Sequence, residues 1–274
     1  MKKSLLSFLY FGNKSFEISK HIIEDKNLPE KFDNFKIIHL SDFHSNYDIK
    51  DKIIQQINKE EPNIVVMTGD MINKYDKKSD FNIFLDLAQN IASRYKTYFI
   101  CGNHENRLDK EDLNYIYLKL KKYNICILNN DHKKIYIDNQ YINIYGINLS
   151  NEFYIINNAK KIDMLNNKIE ESLTNLNVDQ YNIILIHNPL FFNEYVKYNA
   201  NIIFSGHVHG GMIRLPLVGA LLSPERKFFP KYNSGIYEIK NKFMIVSRGL
   251  GHSRPGIRLK NKPELVSITF RGKE

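Results

Sequence analysis

Thiols, long apolar runs and linker tracts are scarce in this chain, and each shortage excludes something. Only two cysteines, Cys101 and Cys126, occur in 274 residues. They cannot form a disulfide framework, and neither lies in a Cys-x-x-Cys zinc spacing, so both read as reduced, partly buried thiols. That usage suits a reducing cytoplasm, the expected location. The opening Met1-Lys-Lys-Ser-Leu-Leu-Ser-Phe-Leu-Tyr-Phe-Gly has the basic start of a signal sequence. Its apolar run ends within about eight residues, against the ~20 that a span needs, and no small-residue cleavage site follows. It reads as a surface helix, either lying on a membrane as a peripheral contact or packed on the domain. No Gly/Ser linker, internal repeat or low-complexity tract breaks residues 36–270. The chain therefore reads as one domain over 36–274, preceded by a polar extension over 1–35.

What is present is a chain 43% hydrophobic, enough for a large core, with a formal charge of +9. That charge implies acidic partners such as phosphorylated substrates, nucleic acid or an anionic membrane surface. Short apolar runs at 36–40, 63–68, 97–101, 182–186 and 201–205 alternate with helical patterns near 50–60, 79–95, 110–122 and 158–176. The alternation predicts an α/β chain with mostly parallel, buried strands. A hairpin is expected over Ile135–Leu149, turning at Asp138-Asn139. Runs at 234–239, 243–247 and 264–270 suggest a second, more antiparallel sheet.

Each of the five apolar runs ends in a polar cluster. In order these are Ser41-Asp42-Phe43-His44, Gly69-Asp70, Gly102-Asn103-His104-Glu105, His187-Asn188-Pro189 and Gly206-His207-Val208-His209. Singly, each has an ordinary explanation as a cap, a turn former or a core histidine. Ligands of α/β sheets bind beyond the carboxyl ends of strands, so the five clusters are expected to converge. On an extended segment His207 and His209 would point the same way. Two carboxylates, four imidazoles and one amide are a ligand set for two adjacent divalent ions, with no thiolate.

The ordered set Asp42-x-His44, Gly69-Asp70, Gly102-Asn103-His104-Glu105, His187 and Gly206-His207-x-His209 resembles the calcineurin-like metallophosphoesterases from about residue 36 to 210. The resemblance implies an α/β fold of two sheets in a β-sandwich, with helices on both outer faces, in four layers. It further implies that Asp42, His44 and His209 bind one metal ion and that Asn103, His187 and His207 bind the other. Asp70 would bridge the pair, and His104 would be catalytic. The implied activity is that of a phosphoesterase, a phosphodiesterase or pyrophosphatase, in which hydroxide between two divalent ions attacks phosphorus. Manganese, iron or zinc suits the donors. Asn73 stands where members often carry an aspartate that orients the catalytic histidine, so either the Asn73 amide or Glu105 is expected to orient His104.

The stretches Gly210-Gly211-Met212-Ile213-Arg214-Leu215-Pro216, Ser247-Arg248-Gly249-Leu250-Gly251 and Pro263-Glu264 are similar to a bacterial, membrane-associated branch. That branch includes phosphodiesterases and UDP-2,3-diacylglucosamine hydrolases, although Met212 replaces its glutamine. The similarity implies a phosphorylated small-molecule or lipid-linked substrate, nucleotide sugars included. Leu215–Leu222 is then either a lip for an acyl chain or ordinary core. Arg214, Arg226, Arg248, Arg254 and Arg258, five of the eight arginines, are candidates for phosphate contact or a solvated basic face. His252 either enters the site or decorates a loop. A nuclease of the same superfamily would use the positive charge, but no nucleic-acid module is recognisable. A non-catalytic binding protein is the remaining alternative, and turnover separates it from the enzymes.

Overall fold

The computed structural model describes residues 14–154, 159–173, 176–177, 179–211, 213–215, 219–222, 228–251, 258 and 260–273. The expectations for the opening run, Met212, Arg226, His252 and Arg254 lie outside the described residues.

Strands apolar on both faces generate the layers. Along β2 (Lys36–Leu40) Ile37 faces one cluster and Ile38 another, and along β3 (Ile64–Met67) Val65 and Val66 divide in the same way. The period of two in side-chain direction is the cause. One face of this sheet takes α1 (Lys50–Glu60), α2 (Lys78–Ala92) and α3 (Lys110–Lys122) through Ile53, Ile57, Phe84, Ala88, Ile116 and Leu120. The other face meets a second sheet through Ile37, Val66, Ile183, Leu185 and Phe204. On the far side of that sheet, Ile184, Ile186 and Ile203 pack with Leu165 and Ile169 of α4 (Ala159–Ser172) and with α5 (Phe192–Tyr195). The result is a helix–sheet–sheet–helix sandwich, as expected.

The first sheet runs β1-β14-β2-β3-β4-β5, with β4 at Lys96–Phe99 and β5 at Cys126–Ile127. Its edge strand β1 (Glu17–Asp25) pairs in parallel with β14 (Glu264–Gly272), which is antiparallel to β2. The strand in Glu17–Asp25 was not anticipated from sequence: an exposed edge tolerates the charged side chains that made the segment read as polar. The run at 264–270, grouped above with the second sheet, belongs to the first.

The second sheet runs β12-β13-β9-β8-β7-β6. Its edges are the hairpin β6 (Asp131–Ile137) and β7 (Gln140–Ile147), and the antiparallel pair β12 (Gly235–Ile239) and β13 (Lys242–Val246). Its centre is parallel: β7, β8 (Asn182–Ile186), β9 (Ile202–Ser205) and β13 pair in that sense. The expectation of a more antiparallel sheet holds only at the edges. A small pair, β10 (Ile213–Leu215) and β11 (Gly219–Leu222), follows β9. Cys101 and Cys126 are unpaired. Among the described residues no helix is long and apolar enough to cross a membrane.

Candidate metal centre

The carboxyl ends of β2, β3 and β4 in one sheet and of β8 and β9 in the other meet at one place, and the five polar clusters meet there. Asp42, His44 and His209 present ligand atoms within 4.8 Å of one another, as do His44, Asp70 and His104, and Asp70, His187 and His207. All seven are buried. His44 Nε2 lies 3.2 Å from His209 Nε2, and His209 Nε2 lies 3.3 Å from Asp42 Oδ1. His187 Nε2 lies 3.2 Å from Asp70 Oδ2. Asn103, the eighth residue named from sequence, is 5% exposed, and its Oδ1 has no hydrogen-bond partner among the described residues. All eight residues are therefore buried in or beside the cluster. His207 and His209 do not lie on an extended segment: both have positive φ, 72° and 55°, and they join different groups.

Backbone strain is concentrated here. Asp42, His44, Ser45 and Asp70 also hold left-handed φ values of 47° to 51°. Non-glycine residues in that region cost roughly 1–3 kcal/mol each and persist only where the surroundings over-determine them. Part of that determination is hydrogen bonding: His44 N donates to Asp70 O at 3.1 Å, Asp42 N donates to Gly69 O at 2.9 Å, and His207 N donates to Asp42 Oδ2 at 3.0 Å. Close approach supplies the rest. A Cβ on Gly102 would sit 2.6 Å from Asp70 N, and one on Gly206 would overlap the Asp42 carboxylate, so both loops require glycine.

Glu105 ties two of these loops together. Its carboxylate accepts from Asp70 N at 2.8 Å, Met71 N at 2.7 Å, Ile72 N at 3.2 Å and Gly102 N at 2.8 Å. Burial and then the nearby Asp70 charge push its carboxyl up to about 7, against the pull of those donors. It does not orient His104, and neither does the Asn73 amide. His104 Nδ1 accepts from the backbone N–H of Lys74 at 3.0 Å. That contact leaves the ring proton on Nε2, which lies 3.9 Å from Asp70 Oδ2. Burial lowers the His104 pKa, so the ring is neutral and an N–H donor rather than a lone-pair ligand.

At His187 the hydrogen bonding is reversed. Its Nδ1 donates to Thr68 O at 2.6 Å, turning Nε2 toward Asp70 and Asp42. Burial would depress this imidazole, but the Asp70 and Asp42 carboxylates outweigh it and hold it at about 9. His44, by contrast, is pressed well below its ordinary value by burial and by His104. His209 is also held neutral, by burial and by His44, and its Nδ1 lies 3.1 Å from Arg258 Nη2. A guanidinium offers only donors, so Nδ1 accepts; ligation through Nε2 requires that Nη2 to turn fully onto the Gly249 and Gly251 carbonyls it already reaches.

A divalent cation fits this set. Two buried carboxylates, an amide oxygen without a partner and imidazoles turned inward are donors for a hard or borderline ion. Burial and the Asp70 charge also raise the Asp42 pKa, against the nearby imidazoles, which is the destabilisation that a cation relieves. The arginines are largely committed elsewhere. Arg258 is buried on carbonyls, Arg248 pairs with Glu17 and Glu264, and Arg214 donates to Gly210 O and Asn233 Oδ1. Three contributors escaped the sequence reading: Asn261, whose Nδ2 donates to His209 O and Gly211 O at 2.6 Å each, the Lys74 amide, and Tyr154, whose ring packs on His207. Each acts across the fold, and no motif marks it.

Residues 35–211 match the calcineurin-like phosphoesterase family. The metallophosphoesterase YkuE of Bacillus subtilis is 27% identical over 272 residues, covering 96% of this chain and 88% of its own. The phosphodiesterase YaeI of Escherichia coli is 25% identical, covering 92% and 87%. In fold, the crystal structure of TT1561 from Thermus thermophilus is similar at a TM-score of 0.52 and 9% identity, covering 78% of this chain and 89% of that one. With the family matched across the five clusters and their ligand atoms gathered at one buried place, this chain belongs to the calcineurin-like phosphoesterases, metal-dependent hydrolases of phosphoric esters.

Proposed function

We propose that the protein is a dinuclear phosphodiesterase or pyrophosphatase, acting on a phosphorylated small molecule or a lipid-linked or nucleotide-sugar substrate. The position of Asp70 carries the reading: its carboxylate lies within 4.8 Å of a ring nitrogen of His44, which belongs to the Asp42–His44–His209 set, and within the same distance of His187 and His207. A carboxylate in two ligand groups at once is what a bridging ligand needs. In this reading Asp42, His44 and His209 hold one ion, and Asn103, His187 and His207 hold the other. Manganese, iron or zinc, bound as a pair, would supply an activated water and neutralise charge on the phosphoryl oxygens.

The chain's own groups do the rest. His104, fixed as an Nε2–H donor by Lys74, stabilises a phosphoryl or leaving-group oxygen by hydrogen bonding; with Nδ1 already occupied, proton donation is secondary. The phosphodiesterase relative supports a diester; a diphosphate with an acyl chain is what the motif resemblance of residues 210–216, 247–251 and 263–264 implies. Phe228 and Phe229, 70% and 61% exposed and following the β10–β11 pair, support an apolar lip that meets lipid.

Metal-stripped protein should cleave bis-p-nitrophenyl phosphate only after manganese is added, and faster than the monoester. Asp70→Ala should lose metal and turnover together. His104→Ala should keep metal and lose about 10²–10³-fold in kcat. Metal binding by the wild type without turnover of either ester would instead favour a binding role.

A further inference from the structure

Tyr154 ends the short 3₁₀ turn Asn151–Tyr154 that follows β7, and it is 7% exposed. Its ring stands edge-on to His207, with centroids 4.8 Å apart, and lies 5.9 Å from the ring of His187. The turn is held in place by the loop that carries His187, because Asn188 Nδ2 donates to Phe153 O at 2.9 Å. The placement is therefore built rather than incidental. Other tyrosine hydroxyls on this side of the sheet are matched: Tyr195 donates to Asn188 O at 2.7 Å, and Tyr232 donates to Asn193 Oδ1 at 3.1 Å. The Tyr154 hydroxyl is buried and, among the described residues, has no hydrogen-bond partner.

A buried hydroxyl left unmatched costs free energy, so its retention beside two ligand histidines needs a reason. A phenol is an O–H donor at physiological pH by its ordinary chemistry. What such a donor lacks is an acceptor, and the acceptor that this reaction brings to the His187–His207 side is an anionic phosphoryl oxygen.

We propose that Tyr154 is a substrate-contacting residue whose O–H donates to a non-bridging oxygen of the phosphoryl group, in the ester and in the phosphate product. The assignment rests on the phosphoesterase reading above, and its test separates the two.

Inorganic phosphate is titrated calorimetrically into manganese-loaded wild type, Tyr154→Phe and Tyr195→Phe, with metal content measured in each and folding followed by thermal melting. In Tyr154→Phe, a shape-conserving change, metal content and fold should persist while phosphate binds about tenfold more weakly. Tyr195→Phe, which removes a buried hydroxyl from the same layer, should bind phosphate as the wild type does. Unchanged affinity in Tyr154→Phe with full metal content overturns the assignment and leaves the phosphoesterase reading standing. Lost metal in Tyr154→Phe overturns it in favour of a structural role. Failure of the loaded wild type to bind phosphate at all overturns both.

Discussion

The two sheets contribute unequal halves to the centre. The first sheet supplies Asp42, His44, Asp70, Asn103 and His104 from one stretch of chain, and Glu105 from that same stretch binds the Asp70 and Gly102 loops through four backbone N–H groups. The second sheet supplies three imidazoles, and little near them in sequence holds them. His187 leans on Thr68 O, His207 N on the Asp42 carboxylate, and His209 on Arg258 and Asn261. One half is organised locally by a carboxylate, the other from a distance. Metal affinity should therefore respond to changes far along the chain, while stability should depend more on the local half.

Three substitutions can break or sharpen that contrast. The largest effect is expected at Glu105→Ala, which leaves four N–H groups without their acceptor. In metal-stripped protein it should cost about 3–5 kcal/mol by urea unfolding, as removing a buried charged partner does. A cost below about 1 kcal/mol would mean that the first half does not depend on this residue.

Asn261→Ala comes next and addresses the other half. It removes both hydrogen bonds to the loop that carries His209, so metal affinity should fall about tenfold, measured by competition with a chelator. Its stability cost should stay near 1–2 kcal/mol, well below that of Glu105→Ala. Equal losses from the two variants would erase the asymmetry.

The smallest effect concerns pH. Burial opposes ionisation of Glu264, but hydrogen bonds from Arg248 and Ser19 outweigh it and hold the carboxyl below its usual 4.5. A carboxylate depressed in the folded state contributes stability that is fully present above pH 4.5 and is lost as pH falls through its lower folded value. Glu264→Gln should therefore be less stable than wild type by about 1 kcal/mol at pH 7, with the gap closing below pH 4.5. A gap that is constant with pH would mean that the Glu264 charge contributes nothing to the contacts joining β1, β14 and the Arg248 loop.

Much of this organisation was legible in the sequence. Runs such as Ile37–Leu40 and Ile183–Ile186 announced strands buried on both faces, and α1 and α3 begin and end where the helical periodicity placed them. The eight candidate residues could be proposed from sequence because each stands one to five positions beyond the end of a strand, where a short-range pattern suffices. Less legible were the charged edge strand β1, whose partners on β14 lie 247 positions away, and the parallel centre of the second sheet. Asn73 shows the limit most clearly. Its spacing from Asp70 suggested that it orients His104, yet the group that does so is a backbone amide one residue further on.

The sequence by itself determined the residue types and their order along the chain, because hydrophobic periodicity and the residues that stop a strand act over a few positions. Tertiary structure alone decided that the clusters come from two sheets, which imidazole nitrogen faces inward, and that Arg258, Asn261 and Tyr154 reach the centre. Those outcomes depend on hydrogen bonds and ring contacts between residues 30 to 119 positions apart, as between Lys74 and His104 or Thr68 and His187. No local pattern encodes contacts of that range; only the packed sandwich creates them.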